Sequence, residues 1–192
     1  QASKELPIVE DGPLDQTSLG IITAQLLPEN AIVSDEGVSS GGQVYRYSAG
    51  APKHDWMTIT GGAIGQGLPL ATGAAIACPN RKVIAIQADG SAMYTVQALW
   101  TMARENLDVT VIILKNNSYG ILNIELDRVG VTAPGPKALS LLDLSNPIID
   151  WVAMSHSMGV PAQSASTTQE FRAALSAAVA HDGPRLVEAV LA

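Results

Sequence analysis

The chain has 192 residues, of which 47% are hydrophobic and 15% charged, and its formal net charge is -7. This length allows one domain with a sizeable core, and an acidic balance without a Lys/Arg cluster argues against nucleic acid and anionic membranes as partners. The small share of charged residues predicts a surface partly covered by another domain or subunit, and an alanine-rich core is the alternative explanation.

The chain has a single cysteine, Cys78, which excludes an internal disulfide and a cysteine-based metal site. It favours a reducing, cytoplasmic compartment. No apolar stretch is long enough to span a membrane. Residues 1–14 do not have the pattern of a signal peptide and are predicted to be a linker before a domain at residues 15–192. We therefore expect a fragment of a longer, multidomain protein.

Apolar runs alternate along the chain with segments of helical periodicity. Helical patterns are predicted at 19–26, 64–77, 94–104 and 120–128, from Asn146-Pro147 to Gly159, and after a capping box formed by Thr167 and Glu170. Strands are predicted at 31–35, 56–60, 82–88, 109–115, 160–164 and 185–192, with 109–115 in the centre of the sheet. The alternation predicts a three-layer α/β/α fold with a mostly parallel sheet of about six strands.

Three side chains are expected to have structural roles, and for two of them, Tyr94 and Glu36, a functional role is the alternative. Trp100 is expected on the buried face of the helical pattern at 94–104. Tyr94 is expected to pack in the core, and lining a cleft is the alternative. Glu36 follows a strand, and we favour a loop or capping role over a catalytic one.

Polar residues follow the predicted strands, where parallel α/β sheets bind their ligands. Asp89 ends strand 82–88 and precedes Gly90, the Ser91 hydroxyl and a helix, whose N-terminus suits a phosphate. A carboxylate beside a phosphate needs a cation between them, and Mg²⁺ takes such oxygen ligands. Asn116, at the end of the next strand, offers an amide oxygen. The alternative is that Asp89 is a helix cap and Asn116-Asn117 a turn.

Residues 88–120, "ADGS…KNNSYG", resemble the thiamine-diphosphate motif that runs from Gly-Asp-Gly to Asn-Asn. Together with "AIVSDEGVSSGG" and "TGGAIGQGLP", they make residues 14–192 similar to the C-terminal, diphosphate-binding domain of the acetolactate synthase / benzoylformate decarboxylase / pyruvate decarboxylase superfamily. Two positions depart from the motif: Ala88 replaces its first Gly, and Lys115 takes the place of its first Asn. Strand alternation should direct Lys115 away from the cation.

The resemblance implies a role for particular residues. Mg²⁺ would be held by the side chains of Asp89 and Asn116 and by the backbone carbonyl of Ser118, with Asn117 as the ligand only in a register shifted by one. Gly62 would offer its backbone to the aminopyrimidine, and Ile64 would be the apolar wedge under the thiazolium that keeps the cofactor bent. The diphosphate would be contacted by Val38, Ser39, Gly90, Ser91, Tyr119 and Gly120.

The resemblance also implies chemistry on a small 2-oxo acid. Acetolactate-synthase-like carboligation is the first expectation, and an aryl 2-oxo acid decarboxylase of the benzoylformate type is the second. The catalytic Glu of this family lies on a pyrimidine-binding domain of a partner subunit, so this chain would hold no catalytic residue and would have negligible turnover alone. The full-length protein is expected to be a homodimer or homotetramer. A non-catalytic phosphate- or nucleotide-binding module, or a scaffold that binds only partner subunits, remains as an alternative.

Overall fold

The computed structural model describes residues 5–192, and the first four residues of the predicted linker lie outside that range. The strands are β1 (Ala31–Glu36), β2 (His54–Thr58), β3 (Val83–Ala88), β4 (Val109–Lys115), β5 (Ala162–Ala165) and β6 (Arg185–Val190). The helices are α1 (Gln16–Leu26), α2 (Gly42–Ser48), α3 (Gly67–Ala77), α4 (Asp89–Ala92), α5 (Ala98–Arg104), α6 (Gly120–Arg128), α7 (Pro136–Ser140), α8 (Trp151–Ser157) and α9 (Thr168–Val179).

The six strands form one sheet in the order β2-β1-β3-β4-β6-β5. Every neighbouring pair is parallel. From β1 the chain first adds β2 on one side and then crosses to add β3 on the other, which makes the carboxyl ends of β1 and β3 a switch point. Crevices at switch points are where open α/β sheets bind ligands.

The core has two parts, one on each face of the sheet. Alternate residues of β3 belong to different parts, as strand geometry requires: Ile84 and Ile86 pack with α1 and α9, whereas Val83 and Ala85 pack with α3, α5 and α8. All seven residues of β4 are buried, which fits a central strand covered on both faces. The predicted three-layer α/β/α fold is confirmed.

Side chains next to the helix starts explain where several helices begin. Thr167 and Glu170 form the predicted capping box of α9, in which each side chain accepts a hydrogen bond from the other residue's backbone N–H. The helix α8 begins at Trp151, because the Asp150 side chain accepts from the Ala153 N–H at 2.8 Å. The predicted start at Asn146-Pro147 was therefore wrong.

The helix predicted at 94–104 begins only at Ala98, and this changes which side chains are buried. A turn over 93–97 separates α4 from α5, so that Leu99 and Met102 face the core while Trp100 is 53% exposed. The guanidinium of Arg104 lies over the Trp100 ring, 5.4 Å from its centroid. Tyr94 is 62% exposed. The core positions expected for Trp100 and Tyr94 were both wrong.

The segment before α1 packs against the domain. Leu14 is fully buried, and its N–H donates to the Ser166 carbonyl at 2.9 Å. Gly12 exchanges hydrogen bonds with Thr168 at the start of α9. The boundary between linker and domain at residues 14 and 15 stays a prediction. Among residues 5–192, no helix combines the length and apolar character needed to cross a membrane.

Candidate cofactor site

The carboxyl ends of β1, β3 and β4 surround a cavity of about 490 Å³. Of the predicted site residues, those that line it are Val38, Ser39, Ile64, Gly90, Ser91, Asn116, Ser118, Tyr119 and Gly120. The strand order produces this convergence, because β3 lies between β1 and β4. Asp89 is buried behind the lining, and Gly62 lies outside it.

Asp89 joins the end of β3 to the end of β4. Its Oδ2 accepts from the backbone N–H groups of Asn117 at 2.7 Å and Asn116 at 3.1 Å. Its Oδ1 accepts from the Gly90 N–H at 2.8 Å. Burial raises the pKa of Asp89 above its usual value, and these three N–H groups offset the shift only in part. Within residues 5–192, no cationic side chain forms a salt bridge with it.

The oxygens around Asp89 suit a hard cation. Asp89 Oδ1 and Asn116 Oδ1 each accept one hydrogen bond, the latter from the Ser118 N–H at 2.9 Å, and each keeps a lone pair. The Asn116 amide is oriented by the Ser40 hydroxyl, which accepts from Nδ2 at 3.2 Å. No three His, Cys, Asp or Glu side chains gather as metal ligands in the described range. The donors that the structure brings together are therefore one carboxylate and one amide oxygen, a chemistry that fits Mg²⁺.

Asn116 and Asn117 are placed differently. Asn116 lines the cavity, whereas Asn117 does not. Asn117 has a φ of 54°, and its carbonyl accepts from the Leu144 N–H at 2.9 Å. Asn117 thus lies in the turn, and Asn116 lies at the cavity. This placement corresponds to the register of the motif in which Asn116, rather than Asn117, is the expected ligand.

The first turn after β3 approaches its neighbours too closely for a side chain at Gly90. A Cβ there would lie 2.7 Å from two ring carbons of Tyr119. The helix predicted after Asp89 is the single turn α4, so little macrodipole is available there. The Ser91 hydroxyl is also occupied: it accepts from Gln87 Nε2 at 2.6 Å and donates to the Ala88 carbonyl at 3.1 Å. Ser91 can therefore offer a phosphate its backbone rather than the expected hydroxyl.

The turn after β1 contains a strained residue beside the cavity. Val38 has a φ of 47°, a left-handed conformation that β-branched residues rarely adopt. Strain of this kind persists where the surrounding structure holds it, often at ligand sites. Ser39, which follows it, lies close to Gly120: a Cβ on Gly120 would be 3.0 Å from the Ser39 hydroxyl.

The loop between β2 and α3 carries Ile64 at the cavity wall. Ile64 is 39% exposed, and its N–H donates to the Gly62 carbonyl at 2.9 Å. The Gly62 carbonyl is therefore already bonded within its own turn, where Gly62 has a φ of 73°. The contact of Gly62 with an aminopyrimidine stays a prediction.

Sequence reasoning missed the roof of the cavity, which is formed by the segment around α7. The Leu142 carbonyl accepts from the Tyr119 N–H at 2.9 Å and from the Ser118 hydroxyl at 3.2 Å. Leu141 and Leu142 line the cavity, as do Tyr94, Ile121 and Leu122. A run of leucines within an otherwise irregular stretch was the signal that could have indicated this role.

The family model for "Thiamine pyrophosphate enzyme, C-terminal TPP binding domain" matches residues 38–189. The chain belongs to this family. The resemblance found in the sequence is thereby confirmed, and thiamine diphosphate is the cofactor that the family of domains binds.

This thiamine pyrophosphate domain has relatives of two kinds. It is 51% identical over 99% of its length to a Mycobacterium tuberculosis protein named "Putative acetolactate synthase large subunit IlvX", covering 37% of that protein. It is 35% identical over 93% of its length to benzoylformate decarboxylase of Pseudomonas aeruginosa, covering 33% of it. It superposes on a thiamine diphosphate-dependent 4-hydroxybenzoylformate decarboxylase of Rhodococcus jostii with a TM-score of 0.82 and 29% identity, over 100% of this chain and 35% of that one. The domain thus spans about a third of the length of these proteins.

Proposed function

We propose that this domain binds thiamine diphosphate together with Mg²⁺ and works within a longer enzyme that acts on 2-oxo acids. The observation that carries the proposal is the Asp89 carboxylate, which is buried at the cavity, bonded to the backbone of Asn116 and not paired with a cationic side chain in the described range. A divalent cation would compensate this charge and would link it to a diphosphate. The family membership supports the cofactor independently.

Each predicted site residue has a proposed task. The cation is held by Asp89, Asn116 and the Ser118 carbonyl, and Ile64 supports the thiazolium side of the cofactor, with Gly62 beside the aminopyrimidine. The diphosphate contacts Val38, Ser39, Gly90, Ser91, Tyr119 and Gly120. Thiamine diphosphate, when bound, supplies a nucleophilic carbon and an electron sink for cleaving the bond to a carboxylate. The protein's own contribution is to bind, orient and shield it.

The reaction proposed first is acetolactate-synthase-like carboligation, which the 51% identical relative supports. Decarboxylation of an aryl 2-oxo acid is the second candidate, supported by the two benzoylformate-type relatives. Product analysis of the full-length protein separates them. Acetolactate from pyruvate supports the first candidate, and benzaldehyde from benzoylformate supports the second.

The rest of the enzyme is proposed to cover this cavity. Ile64, Leu122 and Leu141 expose apolar surface at its rim, and none of the residues of α6 is buried. Exposed apolar surface of this kind marks interaction sites. We expect a pyrimidine-binding domain from a partner subunit of a homodimer or homotetramer to cover it and to supply the catalytic Glu. The 192-residue chain alone should then show negligible decarboxylation, and appreciable turnover by it would contradict the proposal.

Calorimetry tests the cofactor proposal on the chain itself. We expect thiamine diphosphate to bind only when Mg²⁺ is present, and Asp89→Ala to weaken this binding at least about 100-fold, because the carboxylate ligand is lost. Asp150→Ala is the matched control, since it removes a carboxylate that caps α8 away from the cavity. Binding of ATP or NAD without thiamine diphosphate would favour a nucleotide-binding module instead.

A further inference from the structure

Glu36 is a buried carboxylate outside the cavity lining that binds the loop carrying Ile64. It is the last residue of β1 and is 1% exposed. Its Oε1 accepts from the Gly65 N–H at 2.6 Å, and its Oε2 accepts from the Gly67 N–H. One side chain thus fixes two backbone groups within the three residues that follow Ile64. It also caps α3, whose N-cap residue Gln66 makes no side-chain capping bond.

Thr95 holds the same loop from the opposite side. Its hydroxyl donates to the Gly65 carbonyl at 2.9 Å. Gly65 has a φ of 96°, and a Cβ on it would lie 3.0 Å from the Cβ of Tyr94. The peptide groups next to Ile64 are therefore bonded on one side to β1 and on the other to the turn between α4 and α5.

There is little space for the loop to shift. A Cβ on Gly67 would collide with Gln87 Oε1 and would lie 2.7 Å from Glu36 Oε2. Charged carboxylate oxygens accept N–H groups more strongly than neutral amides do. A glutamine at 36 would replace one accepting oxygen by an NH₂ group that faces an N–H donor. The pair of hydrogen bonds from Gly65 and Gly67 to residue 36, which we call the Glu36 clasp, therefore requires a carboxylate.

We propose that Glu36 and Thr95 are positioning residues that hold Ile64 at the cavity wall. Ile64 then contacts the thiamine part of the cofactor, in addition to the contacts that other residues make with its diphosphate. This inference rests on the proposed function, because it assigns Ile64 to the thiazolium side of thiamine diphosphate. Neither residue lines the cavity, so both act through the loop.

Comparing two ligands of the 192-residue chain tests the positioning role. Thiamine diphosphate and inorganic diphosphate are titrated in Mg²⁺ into the wild type, Glu36→Gln and Thr95→Val. Loss of a hydrogen bond to a charged group is expected to weaken thiamine diphosphate about 10-fold in Glu36→Gln, and loss of the neutral bond in Thr95→Val about 3-fold. Affinity for inorganic diphosphate should change less than about 2-fold in both. Glu170→Gln, the same substitution at the capping glutamate of α9, should alter neither.

If Glu36 and Thr95 had only a general structural role, their substitutions would weaken the affinity for both ligands together. That result would overturn the positioning role, and so would unchanged affinity for both ligands. Equal affinity of the wild type for both ligands overturns it as well. Amide hydrogen exchange gives a cofactor-free measurement: the Gly65 and Gly67 N–H groups should exchange roughly 10- to 100-fold faster in Glu36→Gln. If the wild type binds no thiamine diphosphate although these amides are protected, the proposed function fails while the clasp stands. If exchange is unchanged in Glu36→Gln, the clasp fails while the proposed function stands.

Discussion

Two of the acidic side chains buried near the carboxyl edge of the sheet, Glu188 and Asp89, have their charges balanced differently. Glu188 on β6 pairs with Lys115 Nζ at 2.6 Å and accepts from the Ser164 hydroxyl at 2.6 Å. Lys115 is thus directed away from the cation site, as strand alternation predicts. Asp89 accepts only N–H groups of the backbone among its described contacts. Glu188 is neutralised by the chain, whereas Asp89 has no cationic partner among residues 5–192, which leaves its charge available to the proposed external cation.

The largest expected effect on stability comes from breaking the internal pair. Lys115→Met leaves Glu188 buried without its cation, which should lower the free energy of unfolding by about 3–5 kcal/mol. Urea denaturation of the cofactor-free chain measures this loss. Because Lys115 does not pair with Asp89, the substitution should leave the geometry of the proposed cation site unchanged.

Two controls show whether the loss comes from the uncompensated charge. The double substitution Lys115→Met with Glu188→Leu should recover most of the lost stability, because it removes both buried charges. Arg128→Ala breaks the exposed pair with Glu125, at 3.3 Å, and should change stability by less than about 1 kcal/mol. A single and a double variant of equal stability would show that charge balance is not the cause.

The second effect is a pH dependence that belongs to Asp89. Because burial raises its pKa in the folded chain, the folded state holds this proton more tightly than the unfolded state does. Its contribution to stability is therefore complete below the unfolded pKa of about 3.9 and is lost as pH rises through the higher folded value. Relative to Asp89→Asn, the cofactor-free wild type should lose stability as pH rises from acidic to neutral.

Adding Mg²⁺ sharpens this test. A cation that binds the ionised carboxylate should restore the wild type at neutral pH but leave Asp89→Asn unchanged. Denaturation midpoints at several pH values, with and without Mg²⁺, measure both parts. A wild type whose stability rises relative to Asp89→Asn over that range would show that the pKa is shifted in the other direction.

The site's location could be predicted from sequence because it depends on where strands end. Apolar runs that stop at Glu36, Asp89 and Asn116 place those residues at one edge of a parallel sheet, whatever the details of the helices. Motif spacing then singled out Asp89 and Asn116, which are joined by a hydrogen bond from the Asn116 backbone N–H to the Asp89 carboxylate at 3.1 Å.

The remaining features depend on contacts between distant parts of the chain. Trp100 was misplaced because residues 93–97 form a turn and are lost from the helical pattern, so that Leu99 and Met102 form the buried face of the shorter helix. The bonds from Glu36 to the loop of Ile64 and from Lys115 to Glu188 join different elements. The run of leucines could have indicated an apolar role for Leu142, but the hydrogen bond from the Tyr119 N–H to its carbonyl joins distant parts of the chain and leaves no local pattern.

The smallest expected effects come from a pair of serines, one bonded to the Glu188 carboxylate and one to the Asn116 amide. Ser164→Ala removes a hydrogen bond to Glu188 and should lower stability by about 1–3 kcal/mol, with no change in the Mg²⁺ requirement. Ser40→Ala removes the acceptor that orients the Asn116 amide at 3.2 Å. Loss of such a support for a ligand should raise the Mg²⁺ concentration needed for thiamine diphosphate binding by about 10-fold. Calorimetry at graded Mg²⁺ concentrations measures this requirement, and urea denaturation measures stability. If Ser164→Ala changed the Mg²⁺ requirement as much as Ser40→Ala, the two carboxylates would form one electrostatic unit, and the contrast between an internally balanced and an externally balanced charge would be wrong.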